Sequence, residues 1–227
     1  SPWHQNILAK YNANTHLIYN GYDANVFVPK DLICDYFYIT YLGKLYSTQL
    51  RDPRLLFEAL QQLVQAEQID AQAVRVRFHT DSKGMREIYE LGKHYHITDI
   101  LDINGYIPRQ DILPVMHSSS ILLVLTTRST PNGTHGIMGT KFFENIGVEK
   151  PILCVRSDEE CLADAIQETQ AGLAATHVEE VKTFILDKYL EWQTIGYTHQ
   201  PVINKEQFTR QHEAGQFEQL FLQCIKK

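Results

Sequence analysis

Short apolar, β-branched runs alternate along the chain with longer segments whose apolar residues recur every three or four positions. YFYITYL (36–42) is aromatic and β-branched and stops at Gly43, which predicts a buried strand. Pro53 then opens PRLLFEALQQLVQ, in which Leu55, Leu56, Leu60 and Leu63 share a helical face. The same reading places strands at 74–78, 100–103, 120–125, 152–155 and 173–175, and helices at about 84–95, 109–117 and 158–169. A glycine-rich approach entering a helix fills the gap between SILLVL (120–125) and ILCV (152–155). More helix follows 175, and 208–225 is amphipathic. Residues 1–30 differ, with one short run at 15–19 and then the turn-rich strap NGYDANVFVP.

Strand and helix repeating at this spacing imply right-handed crossovers. The expected class is therefore α/β, a doubly wound, Rossmann-like parallel sheet with helices on both faces. The expected division is a linker and strap over 1–30, a Rossmann-like domain over 31–190, and a C-terminal helical tail over 191–227. Ligands in such sheets collect at the carboxyl ends of the strands, where the strand order reverses. The loops to inspect are thus 43–51, 79–84, 104–108 and 126–140.

Composition narrows the ligand. With 44% hydrophobic residues the chain can bury a sizeable core, and a net charge of −6 argues against a broad nucleic-acid face. Two local basic clusters interrupt that acidity: Lys44, Arg51 and Arg54 around Asp52, and Arg75, Arg77, Lys83 and Arg86 around Asp81. They fit a small anion, or else an ordinary solvated surface. No apolar run reaches the roughly 18 residues of a membrane span, and no signal pattern opens the chain. The four cysteines lack CxxC or zinc spacing and read as reduced core thiols of a cytoplasmic protein. His94 and His96 point apart on a helix, which argues against a metal pair, and the sequon Asn132-Gly133-Thr134 stands without other signs of secretion.

The candidate chemistry lies in NGTHGIMGTKFFENIGVEKPILCV (132–155). Gly139, Thr140 and Lys141 stand where a helix should begin, and its unpaired N–H groups and positive dipole end suit a phosphate or carboxylate. Glu144, one turn in, can accept two hydroxyls, as the diol of a ribose offers. The alternative is a plain helix start with a favourable first-turn acid. The order Gly-Thr-Lys is not a phosphate-binding Walker loop, and no GxGxxG follows the first strand. That strand ends instead in GKLYSTQLRDP, which brings Lys44 and Arg51 toward one point and suits a diphosphate. The alternative is a surface lysine and a helix-start arginine paired to Asp52.

Four segments in order resemble the C-terminal, nucleotide-sugar-binding domain of GT-B glycosyltransferases of retaining family 4 (group 1). IYNGYDANVFVP (18–29) is similar to the segment leading into that domain, and YLGKLYSTQLRDPRLLFEAL (41–60) to its first strand, glycine loop and helix. DINGYIPRQDILPVMHSSSILLVL (102–125) resembles the block whose loop lines the base, and GIMGTKFFENIGVEKPIL (136–153) the E-x7-E segment. FTRQHEAGQFEQLF (208–221) is similar to the family's terminal helix. The resemblance implies that Gly43, Lys44 and Arg51 hold the donor diphosphate, with Lys44 and Arg51 stabilising it as it leaves. It implies that Tyr106 and Ile107 line the base, that Gly139, Thr140 and Lys141 bind phosphate, and that Glu144 holds the ribose. No metal or other cofactor is expected.

The implied reaction moves a sugar from a nucleotide diphosphate sugar, UDP before GDP, to a glycan or lipid-linked acceptor. A missing N-terminal domain would bind that acceptor, which makes this chain half an enzyme in polysaccharide biosynthesis, cytoplasmic or peripheral at the inner membrane face in a bacterium. No nucleic-acid partner and no transmembrane segment are expected. The sequence departs from the family at Gly136, where the first glutamate of the pair normally helps position the sugar. Two other readings stay open: an epimerase-like enzyme acting on the nucleotide sugar, and a non-catalytic nucleotide-sugar-binding or partner-docking module.

Overall fold

The computed structural model describes residues 1–126, 136–155 and 160–225. The sequon at 132–134 lies outside them. Helix α1 (Pro2–Leu8) precedes the strap and is capped by Ser1, a helix that the linker reading of 1–30 did not anticipate. Strand β1 (Phe37–Leu42) and helix α2 (Arg54–Gln65) follow, then β2 (Val74–His79), α3 (Ser82–His94), β3 (Leu101–Asn104) and α4 (Arg109–His117). The second half runs β4 (Ile121–Leu125), α5 (Thr140–Val148), β5 (Ile152–Val155), α6 (Glu160–Glu168), β6 (Gly172–Ala175), α7 (Val178–Ile195) and α8 (Arg210–Ile225). The expected elements all form, within a few residues of their expected ends.

Among the described residues six strands form one sheet, all parallel, in the order β3-β2-β1-β4-β5-β6. The alternation of side chains on each strand decides which helix covers it. Phe37, Ile39, Val74, Val76, Phe78, Ile121 and Leu123 face one side, where α2, α3 and α7 close a single core over them. Val124, Ile152 and Cys154 face the other, beneath Phe142, Phe143 and Ile146 of α5 and Leu162 and Ile166 of α6. Helix α4 completes that second side by packing Met116 near Leu42 and Leu122. Order reverses between β1 and β4, since β1 leads through α2 to one edge and β4 through α5 to the other.

The segments before β1 and after α7 are built into this body. Buried Tyr22 exchanges backbone hydrogen bonds with Phe208 and Arg210, and Phe208 enters the core against Phe142 and Phe143. Lys150, 1% exposed, donates to the Thr198 carbonyl at 2.9 Å and pairs with Asp31 at 3.5 Å. Burial pulls its pKa below the usual lysine value, against the opposing pull of Asp31. Helix α7 runs on to residue 195, so the helical tail shares an element with the sheet domain.

Gly147 is where the strap meets α5. A Cβ there would stand 2.7 Å from both Phe27 Cβ and Tyr22 Cδ2, so only a bare Cα lets the strap lie this close. Gly147→Ala is expected to lower the unfolding free energy by about 1–3 kcal/mol, as overpacked sites do. Gly215→Ala, where an added Cβ meets nothing within 4 Å, should be neutral or stabilising. Urea denaturation of the two variants checks the contrast.

Candidate functional site

The loop after β1 is held on several sides. Gly43 N–H donates to the His79 carbonyl at 3.0 Å, which continues the β1–β2 ladder past the strand end. Leu45 N–H donates to Thr80 Oγ1 at 3.0 Å. Further along, Thr48 gives both its N–H and its hydroxyl to Glu87 Oε2, at 2.7 and 3.1 Å. A loop pinned from α3 and from the end of β2 holds its side chains at small entropic cost on binding.

Two cations converge on this loop. Arg51 donates through Nη1 to Tyr41 Oη at 3.0 Å and to the Lys44 carbonyl at 2.7 Å, while Tyr41 Oη donates to the same carbonyl at 2.9 Å. Lys44 Nζ and the Arg51 guanidinium both lie 4.9 Å from the centre of the Tyr46 ring. Such contacts contribute about 0.5–1 kcal/mol each when exposed. The carboxylate expected to neutralise them is engaged elsewhere, because Asp52 pairs with Arg54 at 3.0 Å. Two like charges held on one ring repel each other, and an anion between them would relieve that repulsion.

Across the point where β1 and β4 part, Gly139 caps α5 without any side-chain bond, and Gly139 and Thr140 are exposed. The first N–H groups of α5 therefore meet solvent or a ligand. Lys141 reaches back over the gap, its Cε 4.0 Å from the place a Cβ on Gly43 would take. Its ammonium bonds Glu144 Oε2 at 3.0 Å. A cleft opens here, lined by Tyr41, Arg51, Thr126, Ile137, Gly139 and Lys141 among others. Glu144 borders a second cavity of about 120 Å³, between Arg109 and Leu113 of α4, Asp23 and Phe27 of the strap, and Arg210. That is room for several water molecules.

The structure thus brings Arg51, Gly139 and Lys141 to one cleft, with Gly43 next to Lys141, Lys44 beside Arg51 and Thr140 at the same helix start. Glu144 is reached through Lys141. Ile107 packs into the cluster around Leu42 and Met116, while Tyr106 is 60% exposed and lines neither cleft nor cavity. The second basic cluster belongs elsewhere. Arg75 and Arg77 lie on β2, stacked over Tyr36 and Tyr38 at 4.6 and 3.6 Å, and Arg77 bonds Ser118 just before β4. Alternation on a strand sends them to the sheet face below the ligand edge, and Lys83 pairs with Glu87.

Pattern reading also missed two residues at this edge. Among the described residues, the buried side-chain nitrogen and oxygen atoms without a well-formed hydrogen bond are Arg51 Nε, both ring nitrogens of His79, and Asp81 Oδ2. All lie at or just beyond the carboxyl ends of β1 and β2, and such orphans in a folded protein point to a ligand or a strain reservoir. Burial lowers the His79 pKa, partly offset by the nearby Gly105 backbone. The Asp81 carboxyl is held below its usual range, first by the Gly84 N–H that it caps at 3.0 Å, with Lys44 adding to the effect. The sequence placed both residues in a loop to inspect, 79–84, but gave neither a role, and the Asp-x-x-Gly opening of α3 reads only as a cap.

No family model matches the sequence, and no curated protein sequence matches it significantly. Solved structures do match the fold. Anabaena HepE in complex with UDP-glucose is 15% identical at a TM-score of 0.71, over 98% of this chain and 62% of that one. Sucrose-phosphate synthase from Thermosynechococcus elongatus is 17% identical at 0.63, over 100% and 57%. The C-terminal domain of a glycosyl transferase group 1 family protein from Francisella tularensis is 12% identical at 0.53, over 78% and 92%. The fold is that of GT-B glycosyltransferases, and this chain spans about three-fifths of the length of the first two.

Because Asp81 has a depressed folded pKa, its stabilisation is present above the unfolded aspartate value, 3.8, and is lost as pH falls through the folded value. Asp81→Ala is expected to cost about 1 kcal/mol at pH 7, as lost caps do. Thermal unfolding from pH 7 to pH 2 should show the gap between wild type and variant narrowing only below about pH 4.

Proposed function

We propose that this chain is the donor-binding part of a glycosyltransferase that moves a sugar from a nucleotide diphosphate sugar, UDP before GDP, to a glycan or lipid-linked acceptor. The observation that carries this reading is the convergence of Arg51, Lys141 and the uncapped start of α5 on one cleft where β1 and β4 part. The UDP and UDP-glucose named with the matched Anabaena structures support it. Acceptor binding is assigned to a further domain, in keeping with the share of those chains that this one spans.

In this reading a diphosphate lies between the Lys44–Arg51 pair and the α5 start. Negative charge grows on the diphosphate as the sugar–oxygen bond breaks, and two fixed cations with oriented N–H groups favour that transition state over the ground state. Glu144 takes the ribose diol. Its present partner is Lys141, so the diol replaces the ammonium at Glu144, and the released Lys141 turns to the phosphates across the gap from Gly43. Ribose and diphosphate then bind cooperatively through one side chain. No metal is required, because the side-chain cations supply the positive charge. Among the described residues no helix is long and apolar enough to cross a membrane.

The non-catalytic binding module is the second reading, favoured by Gly136, where the sugar-positioning glutamate has no counterpart. Calorimetric titration with UDP and GDP separates binding from no binding. Arg51→Ala and Glu144→Ala are each expected to weaken the preferred nucleotide about tenfold or more. In the enzyme carrying both domains, Lys44→Ala or Arg51→Ala should lower turnover about 10²–10³-fold, as lost transition-state donors do. Nucleotide binding without any turnover would leave the binding module as the function, and turnover unchanged in both variants would remove Lys44 and Arg51 from the catalytic reading.

A further inference from the structure

Glu67, His96, Glu149 and Gln170 have positive φ just past the ends of α2, α3, α5 and α6, where a left-handed residue closes a helix. Asn204, a residue type at ease in that conformation, precedes the short helical turn Lys205–Phe208. Tyr46, at φ +64°, has no such local reason, since it follows β1 and stands well before α2. The Ser47 N–H donates to the Leu45 carbonyl at 2.8 Å, which puts Tyr46 at the centre of a three-residue turn of the rare, strained kind. Both flanks force it. Leu45 is fully buried and bonded to Thr80, and Thr48 is held by Glu87.

What the strained turn achieves is the placement of one ring. Tyr46 is 49% exposed, so it adds little to the core. Its ring centre lies 4.9 Å from Lys44 Nζ and 4.9 Å from the Arg51 guanidinium. Arg51 has two other anchors, Tyr41 Oη and the Lys44 carbonyl. The Lys44 ammonium has no hydrogen-bonded or ion-paired partner among the described residues, so the ring is what fixes it. A long side chain that must be ordered when an anion arrives weakens binding by about threefold to tenfold. One already seated on a ring lost that freedom in folding, and the ammonium N–H groups turned away from the ring can still donate.

We propose that Tyr46 is a positioning residue for the diphosphate: its ring, carried on a strained turn, holds the Lys44 ammonium beside Arg51 before the ligand arrives. The inference rests on the donor-binding reading above and adds to it the residue that pre-organises its cations. Backbone strain concentrates at ligand clamps because the surrounding structure enforces it there. Stability and affinity therefore pull in opposite directions at this one position.

The test is calorimetric titration of the chain with inorganic pyrophosphate and with UDP, beside thermal unfolding of the same variants. Tyr46→Gly and Tyr46→Asn remove the ring and take positive φ readily. Both should unfold at the same or a higher temperature than wild type, yet bind either ligand about threefold to tenfold more weakly. Tyr46→Phe keeps the ring and should bind within about twofold of wild type. In a Lys44→Ala background, Tyr46→Asn should weaken binding by less than about twofold, because the ring then has no ammonium to hold. Variants without the ring that bind as wild type does would overturn the positioning role and leave the nucleotide site standing. The same holds for a full loss on top of Lys44→Ala, a loss that Tyr46→Phe shares, or a lowered unfolding temperature in both variants without the ring. Wild type that binds neither pyrophosphate nor UDP would overturn the donor reading and this inference with it.

Discussion

Two neighbouring parallel strands whose connections leave on opposite faces cannot close the gap between their own carboxyl ends. β1 and β4 are such a pair, and the rest of the site follows from them. The gap is polar because strand ends and helix starts meet there with unpaired backbone groups. Positive charge is brought to it by the loop after β1, where Asp52 is engaged by Arg54, and by the start of α5, where Lys141 is paired with Glu144. Hydrophobic burial on the two sheet faces keeps the strands in place, but it would do so equally well around an empty seam.

The rigidity of the site has a similar source. Arg51 is fixed by Tyr41 Oη and the Lys44 carbonyl, and the loop is fixed by Thr80 and Glu87. Tyr41 lies on β1, Glu87 on α3 and Thr80 directly after β2, so much of the loop's order is inherited from the core. On the other side Gly147 lets the strap press on α5, the helix that carries Lys141 and Glu144. Pre-organised cations stabilise a developing charge without paying reorganisation at the moment of reaction.

Much of this was legible in the sequence, for physical reasons. The run 36–42 and the helix behind Pro53 announce themselves because buried parallel strands are apolar throughout and covering helices repeat every three to four residues. Gly43, Arg51 and Gly139 could be placed because glycines and cations at strand ends fall on the ligand edge of any such sheet. The second basic cluster misled because spacing along the chain does not say which sheet face a strand residue takes, and Arg75 and Arg77 went to tyrosines. His79 and Asp81 stayed hidden because an unpaired buried atom is a property of distant neighbours. Helix α1 stayed hidden because it buries none of its residues and so leaves no strong apolar stripe.

The central claim is that an anionic nucleotide seats between the loop after β1 and the start of α5. Backbone amide NMR during a UDP titration tests it most directly, since it reports position as well as affinity. The account predicts saturable shifts centred on residues 43–45 and 139–141, with residues 118–120 at the opposite end of the sheet unmoved. Shifts centred elsewhere, or none at saturating UDP, would contradict it.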